Sequence, residues 1–230
     1  MDQGQLQSAT AMRVLEARLE HIAENLANAN TPAFKRLISG VELAEAGKPR
    51  ATARPREVVV RDFAPGSLVV TDNPRDVALD GEGFFVLDQN GITRLTRRLQ
   101  LTVGGDGNLQ HRDGSRVMGE GGPISVPANA SELTADADGN VTADGAVVGK
   151  LSVMVASHPG RLQADRAGTY RANPTELTQA TTRVVAGARE ESNVDVVNEM
   201  VAMMTTLRLY QASQRALQAR DQVSQRLATS

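Results

Sequence analysis

The chain has 230 residues, 40 % of them apolar and 23 % charged, enough to bury one ordinary core or two modest ones. A formal charge of −2 gives no general attraction to nucleic acid or anionic lipid, and the absence of cysteine excludes thiol catalysis, zinc–thiolate sites and disulfides together. Aromatic residues are only 3 %, with no tryptophan, which leaves little to stack on bases or sugars.

Residues 1–10 are polar and lack the basic and apolar regions of a cleavable secretory signal. No run approaches the roughly 18 apolar residues that span a bilayer, so membrane insertion is not expected. From Met12 the apolar residues fall at Met12, Leu15, Leu19, Ile22, Leu26 and Ala29, steps of three and four that draw one stripe along a helix over residues 5–28. Asn28-Ala29-Asn30-Thr31-Pro32 stops it, because Asn tolerates helix-end conformations and Pro32 pushes Thr31 out of the helical region.

Residues 35–61 read as an extended arm with short strands, since the contacts between arginine and Pro49 or Pro55 forbid a continuous helix. The arm carries seven basic residues (Lys35, Arg36, Lys48, Arg50, Arg54, Arg56, Arg61) against three acidic ones (Glu42, Glu45, Glu57). Arg50, Arg54 and Arg56 are its candidate contacts to a neighbouring subunit, and residues 131–145, with four acids and no base, are the kind of surface it would meet. Without interleaved aromatics the arm does not point to nucleic acid.

Residues 77–155 alternate short strand-like runs with turn signals at Asn90-Gly91, Asp106-Gly107, Asp113-Gly114, Asp138-Gly139 and Asp144-Gly145. Strands this closely spaced leave no room for crossover helices, so an antiparallel barrel or sandwich is expected. A second helix follows. Ser192 is placed to cap it, with Asp195 as the reciprocal residue and Glu190 and Glu191 beside its positive end. Val194, Val197, Val201 and Met204 make one apolar line on it, and Val196, Met200, Met203, Leu207, Tyr210 and Leu217 another.

The expected fold is therefore α+β: amphipathic terminal helices that pack together like a coiled coil, around a central antiparallel β-domain. The expected segments are 1–34 (assembly helix), 35–76 (basic arm), 77–188 (β-domain) and 189–230 (second assembly helix). Searches for catalytic or ligand chemistry fail. The three histidines lack metal spacing. Gly81-Glu82-Gly83 lacks a third glycine and a helix start. Asp136, Asp138 and Asn140 mimic the start of a calcium loop, but Val141 replaces the required glycine and Val147 the closing carboxylate. No catalytic, cofactor or metal residue is assigned.

Asn25-Leu26-Ala27-Asn28-Ala29-Asn30-Thr31-Pro32-Ala33-Phe34-Lys35, at the end of an N-terminal amphipathic helix, resembles the signature of bacterial flagellar rod and hook proteins. Val77-Ala78-Leu79-Asp80-Gly81-Glu82-Gly83-Phe84-Phe85 and Glu191-Ser192-Asn193-Val194-Asp195-Val196-Val197-Asn198-Glu199 are similar to further motifs of the same family, in the same order. Two departures stand out: Ala33 occupies a position where the family usually has glycine, and Arg97-Arg98-Leu99-Gln100-Leu101 lacks the usual glycine or asparagine and phenylalanine.

The resemblance, nearest to proximal rod members, implies a structural subunit of the basal-body rod. It would transmit torque, meet copies of itself and other rod subunits, and lie in the rod crossing the periplasm. It would be exported unfolded through the flagellar export apparatus without a cleavable signal. The implied assembly residues are Leu15, Leu19, Ile22, Asn25, Leu26 and Asn28 on the first helix, and Val194, Val197, Val201, Met204, Leu207 and Leu217 on the second, with the asparagines bonding across helix contacts. The alternatives are a distal rod protein and, from another class, a carbohydrate-active enzyme on a β-scaffold, which would need a carboxylate pair of shifted pKa in a pocket.

Overall fold

The computed structural model describes residues 3–42, 56–127, 130–166 and 168–228. They fall into two compact units. Unit 1 gathers Met1–Ala29, Arg36–Asp62 and Val194–Ser230; unit 2 gathers Asn30–Lys35 and Phe63–Asn193.

In unit 1, α1 (Gln3–Ala27) and α2 (Val196–Ala228) contact each other, and β1 (Leu37–Glu42) pairs antiparallel with β2 (Arg56–Arg61), Leu37 opposite Arg61. The periodicity behind α1 holds: Ile22 is buried and Leu15, Leu19 and Leu26 are half-buried. α2 starts one turn later than the Ser192 cap requires. Asp195 is the residue that caps it, its Oδ1 accepting from the amides of Val197 (3.0 Å) and Asn198 (3.1 Å).

Among the described residues, unit 2 holds seventeen strands, β3 to β19. Its main sheet follows the order β15 (Gln163–Arg166), β16 (Thr169–Arg171), β6 (Ile92–Thr96), β5 (Phe84–Gln89), β9 (Arg116–Gly119), β8 (Leu109–His111), β7 (Leu99–Val103), β4 (Asp76–Asp80), β18 (Arg183–Ala186), with β10 (Gly122–Pro123), β14 (Val153–Ala156) and β17 (Leu177–Gln179) branching off. β11 (Leu133–Ala135), β12 (Asn140–Ala143) and β13 (Ala146–Lys150) form a three-stranded meander, and β19 (Ala188–Glu190) pairs with β3 (Leu68–Val70). The dipeptide signals mark real turns. Asn90-Gly91 joins β5 to β6 and Asp144-Gly145 joins β12 to β13, each with both residues at positive φ (55° and 79°; 50° and 82°), the mirror-image turn that matches strand twist. The Asp136 carboxylate accepts the amides of Asp138 and Asn140 at 2.9 Å, so it closes a turn rather than opening a calcium loop.

The core of unit 2 is built from leucine and valine more than from rings. Leu79, Phe85, Leu87, Leu99, Leu101 and Leu109 are wholly buried together. A smaller cluster unites Phe63, Phe84 and Tyr170 edge to face, with centroids 5.1 to 6.0 Å apart.

Of the expected barrel or sandwich, the closed barrel does not form. The path ends on β15 at one side and β18 at the other, which do not pair. β5 is where closure fails: Phe84 and Phe85 pair with β14 while Leu87 and Asp88 pair with β9, so the sheet forks where a barrel would need one continuous neighbour. The expected coiled coil fails too. The inward line of α2 reads Glu199, Met203, Thr206 and Tyr210, half polar, while Val197, Val201 and Met204 remain exposed, so there is no continuous apolar seam of the kind a coiled coil requires.

Candidate assembly site

The most distinctive surface of unit 1 is a strip along α2. Val197 is 70 % exposed, Met200, Val201 and Met204 are each 53 % exposed, and Leu207 continues the strip at 41 %. Spacings of three and four put them on one side of the helix, and the helix spends its inward side elsewhere. Of the other sequence candidates on this helix, Val194 and Leu217 are half-buried.

The inner side is held by polar bonds. Glu199, only 2 % exposed, accepts from Arg36 Nε at 2.6 Å. Tyr210 donates its hydroxyl to Glu16 on α1 at 2.8 Å, and that bond raises the phenol pKa above its ordinary range. Arg61 on β2 lies 3.7 Å from Glu24 of α1.

Asn25 does not reach across to α2. Its amide closes on the backbone of Leu37, giving Nδ2 to the carbonyl at 2.9 Å and taking the amide on Oδ1 at 2.8 Å, which is the pairing a neighbouring strand would make. The end of α1 is thereby clipped to the start of β1. Asn28 instead gives Nδ2 to Glu24 O on its own helix, at 2.9 Å. Of the arm candidates, Arg50 and Arg54 lie outside the described residues, and Arg56 opens β2 with its side chain also outside them.

Unit 2 contains a constellation that the sequence did not disclose. Lys35, Arg97 and Glu190 meet with side chains at most 1 % exposed. Glu190 Oε1 accepts from Lys35 Nζ at 2.6 Å and from the Gly66 amide at 2.9 Å; Oε2 accepts from Arg97 Nε at 2.5 Å. The cations also serve backbone carbonyls: Lys35 that of Ala64 at 2.6 Å, Arg97 those of Gly83 and Gly81 at 2.7 Å each. Two positive charges therefore share one carboxylate, and the carbonyl dipoles take up the remainder. Ala33, at φ +60° and 1 % exposed, gives its amide to the Glu190 carbonyl at 2.8 Å, so the position where glycine was expected is indeed a left-handed one.

Two clefts on unit 2 complete the search. One of about 310 Å³ is lined by His158, Arg161, Arg171 and Glu176 among others; one of about 250 Å³ brings Asp88 near Asp106. Hydrogen bonds from Asn108 hold the Asp106 carboxyl below its usual pKa, opposite to what a general acid needs.

Comparison with known proteins decides what this surface belongs to. The chain is 32 % identical to the flagellar basal-body rod protein FlgF of Salmonella typhimurium, over 87 % of this chain and 86 % of that protein. The chain belongs to the flagellar basal-body rod protein family. Two family models match parts of this rod protein: "Flagellar hook protein FlgE/F/G D1 domain" matches residues 78–143 and "Flagellar basal body rod FlgEFG protein C-terminal" matches residues 185–230. FlgF of Caulobacter vibrioides is 28 % identical over 92 % of the chain and 91 % of its own length. FlgG of Buchnera aphidicola subsp. Schizaphis graminum is 26 % identical over 96 % of both. In this rod protein the three family motifs converge: Lys35 closes the first, Leu79 to Gly83 carry the second, and Glu190 immediately precedes the third.

Proposed function

We propose that this chain is a non-catalytic subunit of the proximal part of the flagellar rod, joined to copies of itself and to other rod subunits through the exposed strip of α2. That it is a structural subunit of the flagellar basal-body rod follows from its family. The observation that carries the rest is the line Val197, Val201, Met204, Leu207, which a solitary protein would not leave in water along a helix. Leu15, Leu19, Ile22 and Leu26 of α1 are assigned to the same assembly surface, Asn25 and Asn28 hold the end of α1 in place for it, and the arm with Arg50, Arg54 and Arg56 is assigned a contact with an acidic neighbouring surface. Passage through the flagellar export apparatus and residence in the periplasmic rod belong to the same proposal.

Val201→Asp tests it. The side chain is exposed in the single chain, so the purified variant should melt with the parent, while burying the new charge in an assembly costs several kcal/mol. Cells carrying it should export the subunit yet fail to complete rods or swim. Normal swimming would show that the strip faces solvent in the rod. The second reading, a distal rod protein, is favoured by the FlgG relatives matched over nearly their whole length, although at lower identity. Restoring motility to a strain lacking FlgF, and not to one lacking FlgG, separates the two.

A further inference from the structure

The buried triad in unit 2 lies beside the places where the chain passes from one unit to the other. Those passages fall after Lys35, before Phe63 and after Asn193, besides the one after Ala29. The stretches of unit 2 next to them are laced together: Ala33 N to Glu190 O at 2.8 Å, Glu191 N to Ser67 O at 2.8 Å, and Asn193 Nδ2 to Ala64 O at 3.0 Å. One carboxylate then fastens all of them, because Glu190 takes Lys35 from the first stretch, the Gly66 amide from the second, and itself belongs to the third. Arg97 extends the fastening into the sheet, where it holds the Gly81 and Gly83 carbonyls.

We propose that Glu190, with Lys35 and Arg97, is a positioning residue that binds these stretches into one stem, so that a twisting load on unit 2 is shared among them instead of passing through single extended strands. The inference rests on the rod-subunit reading. Apolar side chains could fill the same volume, but they have no direction and would let the stretches slide past one another. Charge-assisted bonds fix both distance and angle, and the ions here also pair with the Ala64, Gly81 and Gly83 carbonyls and the Gly66 amide, which apolar groups would leave unpaired. Stability alone does not account for the choice, because a buried ion pair is seldom more stable than a well-packed apolar substitute.

The test uses the full chain with Glu190→Gln, which keeps the shape and removes the charge that both cations face. Native-state hydrogen exchange should show the amides of Ala33, Gly66 and Glu191 exchanging about a hundredfold faster. The amides of Leu101 and Leu109, deep in the sheet, should accelerate much less. Equal acceleration at both places would mean that Glu190 is ordinary core and would overturn the proposal. Should that variant not fold, Arg97→Lys serves: it keeps the charge but cannot hold Glu190 and two carbonyls at once, and should loosen the amides of the same stem ahead of the core. In cells, rods containing Glu190→Gln should be complete by electron microscopy, yet swimming speed should fall more steeply than the parent's as the medium is made viscous. Complete rods with parental speed at every viscosity would refute the fastening and leave the rod reading intact. Complete rods in a strain lacking the chain altogether would refute the rod reading itself.

Discussion

Asn25 and Asn28 belong to the same sequence signature, and the structure gives them very different weights. Asn25 is 1 % exposed and satisfies both backbone groups of Leu37, itself buried. Asn25→Ala leaves an amide and a carbonyl without partners at a place water reaches poorly. Each such group costs about 1–3 kcal/mol, so the pair should cost ~2–6 kcal/mol, less whatever a water admitted at the strand end recovers. Asn28→Ala removes a bond from the side-chain amide to Glu24 O, a group that water can serve, and should cost less than Asn25→Ala. Asn25→Asp is a sharper probe, since it keeps the acceptor for the Leu37 amide but sets an oxygen against the Leu37 carbonyl. Urea unfolding of the three variants by far-ultraviolet circular dichroism, with exchange of the Leu37 amide as the local readout, measures the contrast. If Asn25→Ala and Asn28→Ala differ by less than ~0.5 kcal/mol, the clip between α1 and β1 does not exist in solution.

Two further outcomes are expected. Asp195→Ala should lower the stability of α2 by ~1 kcal/mol in the same unfolding assay; an unchanged midpoint would remove Asp195 as the cap. His111 is kept neutral by burial, with Arg98 and Arg112 adding to the effect and Asp113 opposing it, and its Nδ1 accepts the Gln100 amide at 3.2 Å. Its folded pKa is therefore depressed, so its contribution is complete above about pH 6.5 and is lost as the pH falls below that value toward the folded pKa, where the unfolded chain binds a proton that the fold refuses. Urea midpoints at pH 7.5 and 5.5 should converge in His111→Gln relative to the parent, and an unchanged slope would remove His111 from the account.

Periodicity and turn chemistry made much of this fold legible. The stripe from Leu15 to Leu26 marked α1, and Asn90-Gly91 and Asp144-Gly145 marked hairpins, because both signals are local and have few physical alternatives. Direction was not legible. The apolar line Val197, Val201, Met204 announces a partner but not whether that partner is α1, and here the line stays exposed while Glu199 and Thr206 on the same helix are buried. Closure of the sheet was hidden for a related reason: strand count and spacing do not reveal that β5 divides its pairing between β14 and β9. The triad was the deepest omission. Glu190 stands 155 residues from Lys35 and 93 from Arg97, and next to a helix start its charge reads as a dipole partner.

The way the two units divide the chain sets an order of events during folding. Unit 2 is almost one continuous stretch, whereas unit 1 is sewn from pieces at the beginning, the early middle and the end of the sequence. Its longest closure joins α1 to α2 across the entire sheet domain, and such a loop is costly to close when its middle is an open coil. Folding of unit 2 first turns that coil into a compact spacer, which leaves unit 1 a much smaller entropy to overcome. The pairing of α1 with α2 is thus expected to be the last part of the molecule to take shape, arriving only after the C-terminal segment has found its place against α1.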